Sequence, residues 1–300
     1  MDRPPFVDAH VHFWQLSRLR YPWLTPPFDD GGPNGPVAAI AQDYTLADYL
    51  VEAGGWDVRG MVHVDAGADP RDALAETEWL QATADAHGMP NAIIAYADLT
   101  QSDVDDLLAA HAAHANVRGI RHIVNWHRDP DRTYTARDVT SDAAWQNGFA
   151  RLAAHGLSFD LQCYPGQMPG LARLLQRHPD IPVCINHAGM GVDGEADWRD
   201  GMQPLAALPQ VAVKLSGFGF VFRPLDPSKV RDRLRRTIDL FGPERCMIAS
   251  DFPTDRLFGG FDAILDNYLE AVHDLPDAQI RALFAGNANR FYRLGLELTS

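Results

Sequence analysis

Cysteine is scarce in this chain of 300 residues. It occurs three times, at Cys163, Cys184 and Cys246. Each of these residues lies in or beside an apolar run, and none belongs to the closely spaced pattern that is typical of a cysteine metal site. We therefore expect buried free thiols in a reducing compartment rather than a disulfide framework.

The chain also lacks long apolar runs and an excess of positive charge. No uncharged apolar run reaches the roughly 18 residues that a membrane-spanning helix needs, and the first residues hold no apolar core of signal-peptide length. The formal net charge is −14, so a nucleic acid or an anionic membrane surface would be repelled. We expect a cytoplasmic protein that binds a small molecule, with its oligomeric state open.

Short apolar runs alternate with longer amphipathic segments rich in alanine and leucine. We predict eight strands, at residues 6–12, 58–64, 92–97, 117–123, 157–163, 182–187, 211–215 and 246–251. Because strand and helix alternate eight times, the strands must be parallel and joined by crossover helices, and eight such units close naturally into a barrel. The sequence therefore predicts an α/β protein, a single (β/α)8 TIM barrel over residues 1–300, with its active site at the C-terminal ends of the strands.

Glycine-rich phosphate-binding loops are absent. No GxGxxG or Walker-type segment follows any predicted strand, which argues against a doubly wound nucleotide-binding sheet. We expect no organic cofactor.

Capping residues mark several of the helices between the strands. Asp69 and Pro70 open a helix that ends at Gly88, and other helices are predicted at 141–156 and 226–243. Two further helices follow the eighth strand, around 261–273 and 277–292, and we expect the last to pack on the outside of the barrel.

Two stretches depart from this repeat. Residues 15–43, rich in proline and glycine, form a connection too long for an ordinary βα turn. Residues 189–200 form a second loop rich in glycine and aspartate. Both follow predicted strands, so we expect them to cover the barrel mouth, the first as a lid or substrate loop.

Polar side chains gather at the ends of the predicted strands. His10 and His12 end the first strand, and side chains two residues apart share one face of a strand, so their imidazoles converge. Buried polar groups are costly unless they are paired or used, so their recurrence at one end of the barrel favours an active site. The later strands contribute Arg121, His122, Gln162, His187, Lys214 and Asp251.

Seven segments carry a family resemblance across the whole chain. They are VDAHVHFW, GIRH, LSFDLQ, NHAG, VKLSGF, ASDFPTD and AGNANRFYRL, in this order. Together they resemble the amidohydrolase superfamily, its amidohydrolase-2 subgroup and, within it, the sugar-acid lactonase branch of L-fuconolactonase, L-rhamnonolactonase and 2-pyrone-4,6-dicarboxylate lactonase. The two histidines and the final aspartate are common to the superfamily, whereas FDLQ, KLSG and the C-terminal segment are more typical of that branch.

The resemblance implies hydrolysis of a small lactone, specifically a sugar-acid (aldono-) lactone. Asp251 would act as general base on a water molecule, while His10, His12 and His187 would polarise the carbonyl group. Arg121 would hold carboxylate or hydroxyl groups of the substrate, unless it pairs with Asp160 instead. Further candidates for substrate binding are His122, Gln162, Tyr164, Lys214 and the aromatic Trp14, with Tyr21 and Trp23 beside it.

The metal requirement stays open at the level of sequence. The fifth strand offers Asp160 and Gln162 where metal-dependent members have a further histidine, and the fourth has no lysine or glutamate, so a binuclear site is not expected. A single divalent ion such as Zn²⁺ could bind His10, His12 and Asp251, since three protein ligands and a water form the usual catalytic zinc set. The branch also resembles enzymes in which a metal is absent or dispensable.

Two alternatives remain beside lactone hydrolysis. The first is metal-dependent decarboxylation of an aromatic or unsaturated acid, since the amidohydrolase-2 group also contains such decarboxylases. The second is a barrel that binds a sugar acid without catalysis, although such a protein would not need three histidines and an aspartate together at its mouth.

Overall fold

Eight parallel strands form the centre of the protein, in a computed structural model that describes residues 2–298. Each strand begins within one residue of its predicted start, and six of them end earlier than predicted. As a result His12, Gln162, His187 and Asp251 lie just beyond their strands rather than on them. The strands are β1 (Phe6–Val11), β2 (Val58–Val64), β3 (Ala92–Tyr96), β4 (Val117–Arg121), β5 (Ser158–Leu161), β6 (Val183–Ile185), β7 (Val211–Leu215) and β8 (Cys246–Ile248).

Helices connect successive strands, and two more follow the eighth βα unit. The helices in the described residues are α1 (Leu46–Glu52), α2 (Ala73–His87), α3 (Val104–Ala112), α4 (Ala143–Arg151), α5 (Met168–Gln176), α6 (Glu195–Ala206), α7 (Pro227–Phe241), α8 (Phe261–Ala271), α9 (Asp277–Arg281) and α10 (Asn287–Phe291). The predicted ends of α2 and α7 agree closely, because Gly88 adopts a left-handed conformation after α2 and the Asp226 carboxylate accepts from the Ser228 amide at the start of α7.

The sheet closes on itself between β1 and β8. Strand order is β1 to β8 with every neighbouring pair parallel. At the seam the Asp251 amide donates to the His10 carbonyl, and the His12 amide donates to the Phe252 carbonyl, each at 2.9 Å. The predicted (β/α)8 TIM barrel is confirmed, and its closing hydrogen bonds involve three of the predicted site residues.

Small and branched side chains fill one core cluster of the barrel, including Val7, Ala9 and Val64. Ala288 and Tyr292, in and directly after α10, belong to the same cluster. The last helix, which was expected on the outside of the barrel, therefore packs against this core cluster of the sheet.

The connection between β1 and α1 is ordered around tryptophans. Trp14 forms an antiparallel bridge with Tyr44 and donates from its indole nitrogen to the Gln42 carbonyl at 2.6 Å. Trp23 donates to the Ala66 carbonyl at 2.8 Å, which ties this long segment to the loop after β2. Such bonds fix the segment over the same end of the barrel where the strands terminate.

The three cysteines are all buried and unbridged, as expected. Among residues 2–298, no helix is long and apolar enough to cross a membrane.

Candidate active site

A cavity of about 200 Å³ opens at the C-terminal ends of the strands. Its wall includes five of the polar residues predicted from the sequence, and these come from five different βα units. They are His12, Arg121, Gln162, His187 and Asp251. Barrel enzymes carry their catalytic groups at this face, so the cavity is the candidate active site.

Three ligand atoms form a compact triangle at the barrel seam. The Nε2 atoms of His10 and His12 lie 3.1 Å apart, and Asp251 Oδ1 lies 3.4 Å from the first and 3.3 Å from the second. All three side chains are almost wholly buried. The main-chain hydrogen bonds that close the sheet between β1 and β8 bring these side chains together.

His187 completes the cluster from the loop after β6. Its Nδ1 lies 3.1 Å from Ser216 Oγ and 3.9 Å from Asp251 Oδ2, so the two oxygens of Asp251 face different histidines. The main chain of both residues is left-handed, with φ of 53° at His187 and 58° at Asp251. Residues other than glycine rarely adopt this conformation, and it turns both side chains toward the cavity at some cost in backbone energy.

Burial keeps the histidines uncharged. Desolvation lowers the pKa of His12 to about 3 and that of His187 to about 4, and it lowers the pKa of His10 well below its usual value. His12 Nδ1 lies 2.7 Å from the Val64 carbonyl, which can only accept, so the ring proton sits on Nδ1 and leaves the Nε2 lone pair available. Burial raises the pKa of Asp251, opposed by His187 and Arg121.

These residues fit a single divalent ion. Ligand atoms around tetrahedral zinc lie roughly 3.4 Å apart when each is about 2.1 Å from the metal, which is close to the 3.1–3.4 Å sides of the triangle of His10, His12 and Asp251. Asp251 Oδ1 is buried and has no hydrogen-bond partner among the described residues, as a carboxylate reserved for a cation would. His12 and Asp251 also line the cavity, which leaves one side of the triangle open.

Arg121 is held by the protein itself. Its Nε donates to Asp65 Oδ2 at 3.0 Å, its Nη2 donates to the Asp65 carbonyl, and its Nη1 donates to Gln162 Oε1 at 3.2 Å. The alternative partner considered from sequence, Asp160, is wrong because Asp160 pairs with Lys214. The guanidinium charge in the cavity is therefore neutralised by a neighbouring carboxylate.

Five of the residues predicted to bind substrate do not line the cavity, and neither does His10. Lys214 is wholly buried in its ion pair with Asp160, so it does not reach the substrate space as suggested. Tyr164 donates from its hydroxyl to the Arg132 carbonyl at 2.5 Å. His122 Nδ1 accepts from the Leu99 amide at 3.3 Å.

Trp14 is the fourth, and its indole group is used within the β1–α1 connection. Trp23, whose ring meets Trp14 edge to face at 5.5 Å, lines the cavity in its place. Tyr21 is buried and is not part of the cavity wall.

Sequence reasoning missed several residues of the cavity wall. Asn34 and Met190 lie in the two loops that were expected to cover the mouth, but loop composition does not say which residue turns inward. Tyr134, Phe220 and Thr254 also line the cavity and belong to loops after β4, β7 and β8. The aromatic rings of Tyr134 and Phe220, in loops after barrel strands, were the only signal available, and Thr254 offered none.

Comparison with known proteins agrees with this geometry. A family model described as amidohydrolase matches residues 7–294. The chain is 40% identical over 294 residues to an uncharacterized protein of Sinorhizobium fredii, covering 96% of this chain and 98% of that protein. It is 30% identical over 305 residues to an L-fucono-1,5-lactonase of Burkholderia ambifaria, covering 96% and 95% of the two chains.

A solved structure extends the similarity to the fold. An amidohydrolase from Burkholderia multivorans, crystallised with bound zinc, superposes with a TM-score of 0.79 at 27% identity and covers 96% of this chain and 99% of its own. The family match spans the barrel from β1 to the C-terminal helices, so the agreement concerns the whole architecture and not a single motif. This chain belongs to the amidohydrolase family.

Proposed function

We propose that this enzyme hydrolyses the ring ester of a small lactone, and that its substrate is a sugar-acid lactone. The observation that carries the proposal is Asp251, a buried carboxylate at the cavity wall, surrounded by three neutral histidines. The resemblance to proteins named L-fucono-1,5-lactonase, at 28% and 30% identity, supports this reaction over others.

Asp251 acts as the general base. Its Oδ2, which is not part of the triangle with His10 and His12, takes a proton from a water molecule as the water oxygen attacks the lactone carbonyl carbon. The ring C–O bond then breaks, and the proton held by Asp251 passes to the departing ring oxygen. The product is an open-chain hydroxy acid, and Asp251 returns to its ionised form.

His187 stabilises the charge that develops on the carbonyl oxygen. Its contact with Ser216 fixes the ring beside Asp251. The lowered pKa keeps the ring neutral, and a neutral imidazole still carries one N–H group that can donate a hydrogen bond to the carbonyl oxygen. A donor that is already in place avoids the reorganisation that water would need.

The triangle of His10, His12 and Asp251 would hold a zinc ion through the two Nε2 atoms and Oδ1. When bound, the ion supplies a Lewis acid that polarises a carbonyl oxygen and lowers the pKa of a coordinated water. Asp251 Oδ2 stays available for proton transfer in either state, because it faces His187 and not the triangle.

The cavity wall suits a ring that carries hydroxyl groups. Gln162, Asn34 and Tyr134 offer hydrogen-bonding groups, while Ile123 and Met190 present an apolar face. A cavity of about 150 Å³ accommodates a single benzene-sized ring, so the 200 Å³ found here fits one six-membered lactone with its substituents. Because Arg121 is already neutralised by Asp65, we propose that the substrate ring carries no carboxylate of its own.

Hydrolysis of a panel of aldonolactones tests this function. We expect acid release by the purified enzyme, and a loss of about 10²- to 10⁴-fold in kcat for Asp251→Asn because the base is removed while the shape is kept. Asp105→Asn serves as a matched control, since Asp105 lies on the exposed side of α3. Retention of activity in Asp251→Asn, or no hydrolysis of any lactone by the wild-type enzyme, would contradict the proposal.

A further inference from the structure

The loop after β2 fixes two side chains of the active-site cavity. Asp65 accepts from the Arg121 guanidinium through its carboxylate and its carbonyl. The next carbonyl, that of Ala66, accepts from the Trp23 indole N–H at 2.8 Å. Asp65 Oδ1 also accepts from the Gly67 amide at 2.9 Å, which holds the loop in shape. Arg121 and Trp23 both line the cavity, so residues 65–67 set where each of them lies on its wall.

Trp23 is held from a second direction by Trp14. The two ring centroids lie 5.5 Å apart with the ring planes at 84°, and the Trp14 indole is itself bound to the Gln42 carbonyl. Because the indole N–H of Trp23 is used by Ala66, the ring offers the cavity only apolar aromatic carbon. A side chain that is already held in one place loses little further freedom when a ligand packs on it.

Gly67 allows the main chain to approach this ring closely. Its φ is 73°, and a Cβ at this position would lie 2.9 Å from Trp23 Nε1 and 3.2 Å from Trp23 Cδ1. A larger residue would therefore strain the main chain and push the indole away from the Ala66 carbonyl. Gly67 also lines the cavity, so the glycine and the ring form one stretch of its wall.

We propose that Trp23, positioned by Gly67, is the surface against which the substrate ring packs and the residue that selects a ring over an open chain. This inference rests on the proposed lactone hydrolysis and deepens it, because it assigns the substrate class as a saturated six-membered lactone. Such a ring carries C–H groups that pack on aromatic carbon, while its hydroxyl groups point away from the contact. An open-chain compound offers no comparable surface.

Polar groups of the wall complement this contact. Gln162 Oε1 accepts from Arg121 at 3.2 Å, which leaves Gln162 Nε2 to donate to a substrate hydroxyl group. Asn34 lines the same cavity and offers a second amide. A planar aromatic acid could also pack on Trp23, but it would leave these amides without partners. A hydroxylated saturated ring satisfies the aromatic and the polar groups together.

A lactam analogue tests the contact without turnover. In an aldono-1,5-lactam an N–H replaces the ring oxygen, so the ring keeps its shape and hydroxyl groups but resists hydrolysis. We expect ¹H NMR to show upfield shifts of its ring C–H protons on binding to the wild type, caused by the indole ring current. We expect Trp23→Leu to remove these shifts and to weaken binding about ten-fold. Trp126→Leu, at an exposed tryptophan that does not line the cavity, should behave as the wild type does.

Substitution of Gly67 tests the positioning of the ring. We expect Gly67→Ala to weaken lactam binding about ten-fold and to raise KM for the matching lactone with little change in kcat. Gly88→Ala is the matched control, because Gly88 has φ of 77° but a Cβ there would meet nothing within 4 Å. Backbone strain alone would therefore affect both variants, whereas displacement of Trp23 affects only the first.

An open-chain aldonamide tests the selection of a ring. It carries the same hydroxyl groups and an amide, and we expect the wild type to bind it about ten-fold more weakly than the lactam. We expect Trp23→Leu to bind the two compounds equally.

Three results would overturn the inference. They are binding of the lactam without upfield shifts or no binding at all, equal lactam affinity in wild type and Gly67→Ala, and equal wild-type affinity for lactam and aldonamide. The first and third use the wild-type protein alone, so they hold even if a variant does not fold. Lactam shifts without hydrolysis of any lactone would contradict the proposed function instead.

Discussion

His187 depends on its neighbours for position. Its main chain is left-handed, its Nδ1 lies 3.1 Å from Ser216 Oγ, and its ring packs against Gly217, which has φ of 63° and no Cβ. Each of these features restricts where the ring can lie relative to Asp251. The position of the His187 ring therefore depends on Ser216 and Gly217, directly after β7, as much as on the histidine itself.

Ser216→Ala tests this positioning. Loss of the hydroxyl group frees the His187 ring and removes the contact that selects its tautomer, so we expect kcat for lactone hydrolysis to fall about ten-fold with little change in KM. Steady-state kinetics on the most active lactone measure both constants. Ser216→Cys or Ser216→Thr, which keep a group near the ring, should recover part of kcat, and an unchanged kcat in Ser216→Ala would show that the contact has no catalytic role.

Glu76 on α2 is a buried acid outside the cavity. Burial, aided by the charge of Asp65, raises its pKa to about 8. An unfolded glutamate ionises near pH 4.5, so between about pH 4.5 and 8 the folded state holds one proton more than the unfolded state. In that window the free energy of unfolding falls as pH rises, by up to about 1.4 kcal/mol per pH unit from this group.

Glu76→Gln should remove this dependence. The amide stays uncharged at every pH, so we expect the variant to be more stable than the wild type at pH 8 and similar to it near pH 5. Urea denaturation across this range measures the difference, with the exposed Glu78→Gln on the same helix as control. Parallel pH profiles for wild type and Glu76→Gln would show that Glu76 is ionised in the folded protein.

At the scale of elements, three sequence motifs meet in one buried contact. Asp160 of β5 forms an ion pair with Lys214 of β7 and accepts from the Tyr292 hydroxyl at 2.9 Å. Lys214 also lies 5.2 Å from the centre of the Tyr292 ring. The FDLQ, KLSG and C-terminal motifs therefore hold the end of the chain against the barrel.

Tyr292→Phe should weaken that attachment without altering the cavity. Asp160 loses a buried donor, so we expect a loss of about 1–3 kcal/mol in the free energy of unfolding. Activity per folded molecule should stay near the wild-type value, because Tyr292 does not line the active-site cavity. Urea unfolding followed by circular dichroism gives the first quantity, and a stability equal to that of the wild type would refute the role assigned to the hydroxyl group.

The strand pattern was predictable where the loops were not. Eight apolar runs and the histidine pair follow from local sequence, because alternation and strand ends are local properties. The partner of Arg121 is not local: Asp65 follows β2, two strands away, whereas Asp160 lies on the adjacent β5. The neighbours that a side chain at the barrel mouth can contact depend on the stagger of the strands in the closed sheet. Whether Asn34 or Met190 turns toward the cavity depends on contacts between loops.

At the scale of the whole molecule, the candidate metal ligands bridge the two ends of the sheet. His10 and His12 come from β1 and its end, and Asp251 follows β8. An ion bound by all three would hold the first and last strands together and would bind the folded state only. Bound metal should therefore raise thermal stability, by an amount that grows with the logarithm of the ratio of free metal to its dissociation constant.

Thermal unfolding with and without zinc tests this coupling. We expect Zn²⁺ to raise the Tm of chelator-treated wild-type protein by several degrees at concentrations well above its dissociation constant. We expect His12→Asn to lose the shift, because one ligand is removed. His114→Asn, a histidine outside the candidate ligand set, is the control. No zinc-dependent shift in the wild type would rule out a tightly held ion at these residues.

The seam between β1 and β8 has a consequence for synthesis of the protein. His10 and Asp251 are separated by 240 intervening residues, yet they must be neighbours for the site to exist. A ribosome has produced most of the chain before the aspartate emerges, and loop closure over that length is slow compared with local helix formation. No nascent or truncated chain that stops before β8 can possess this activity. Measurable lactone hydrolysis therefore indicates that β8 has joined the sheet beside β1.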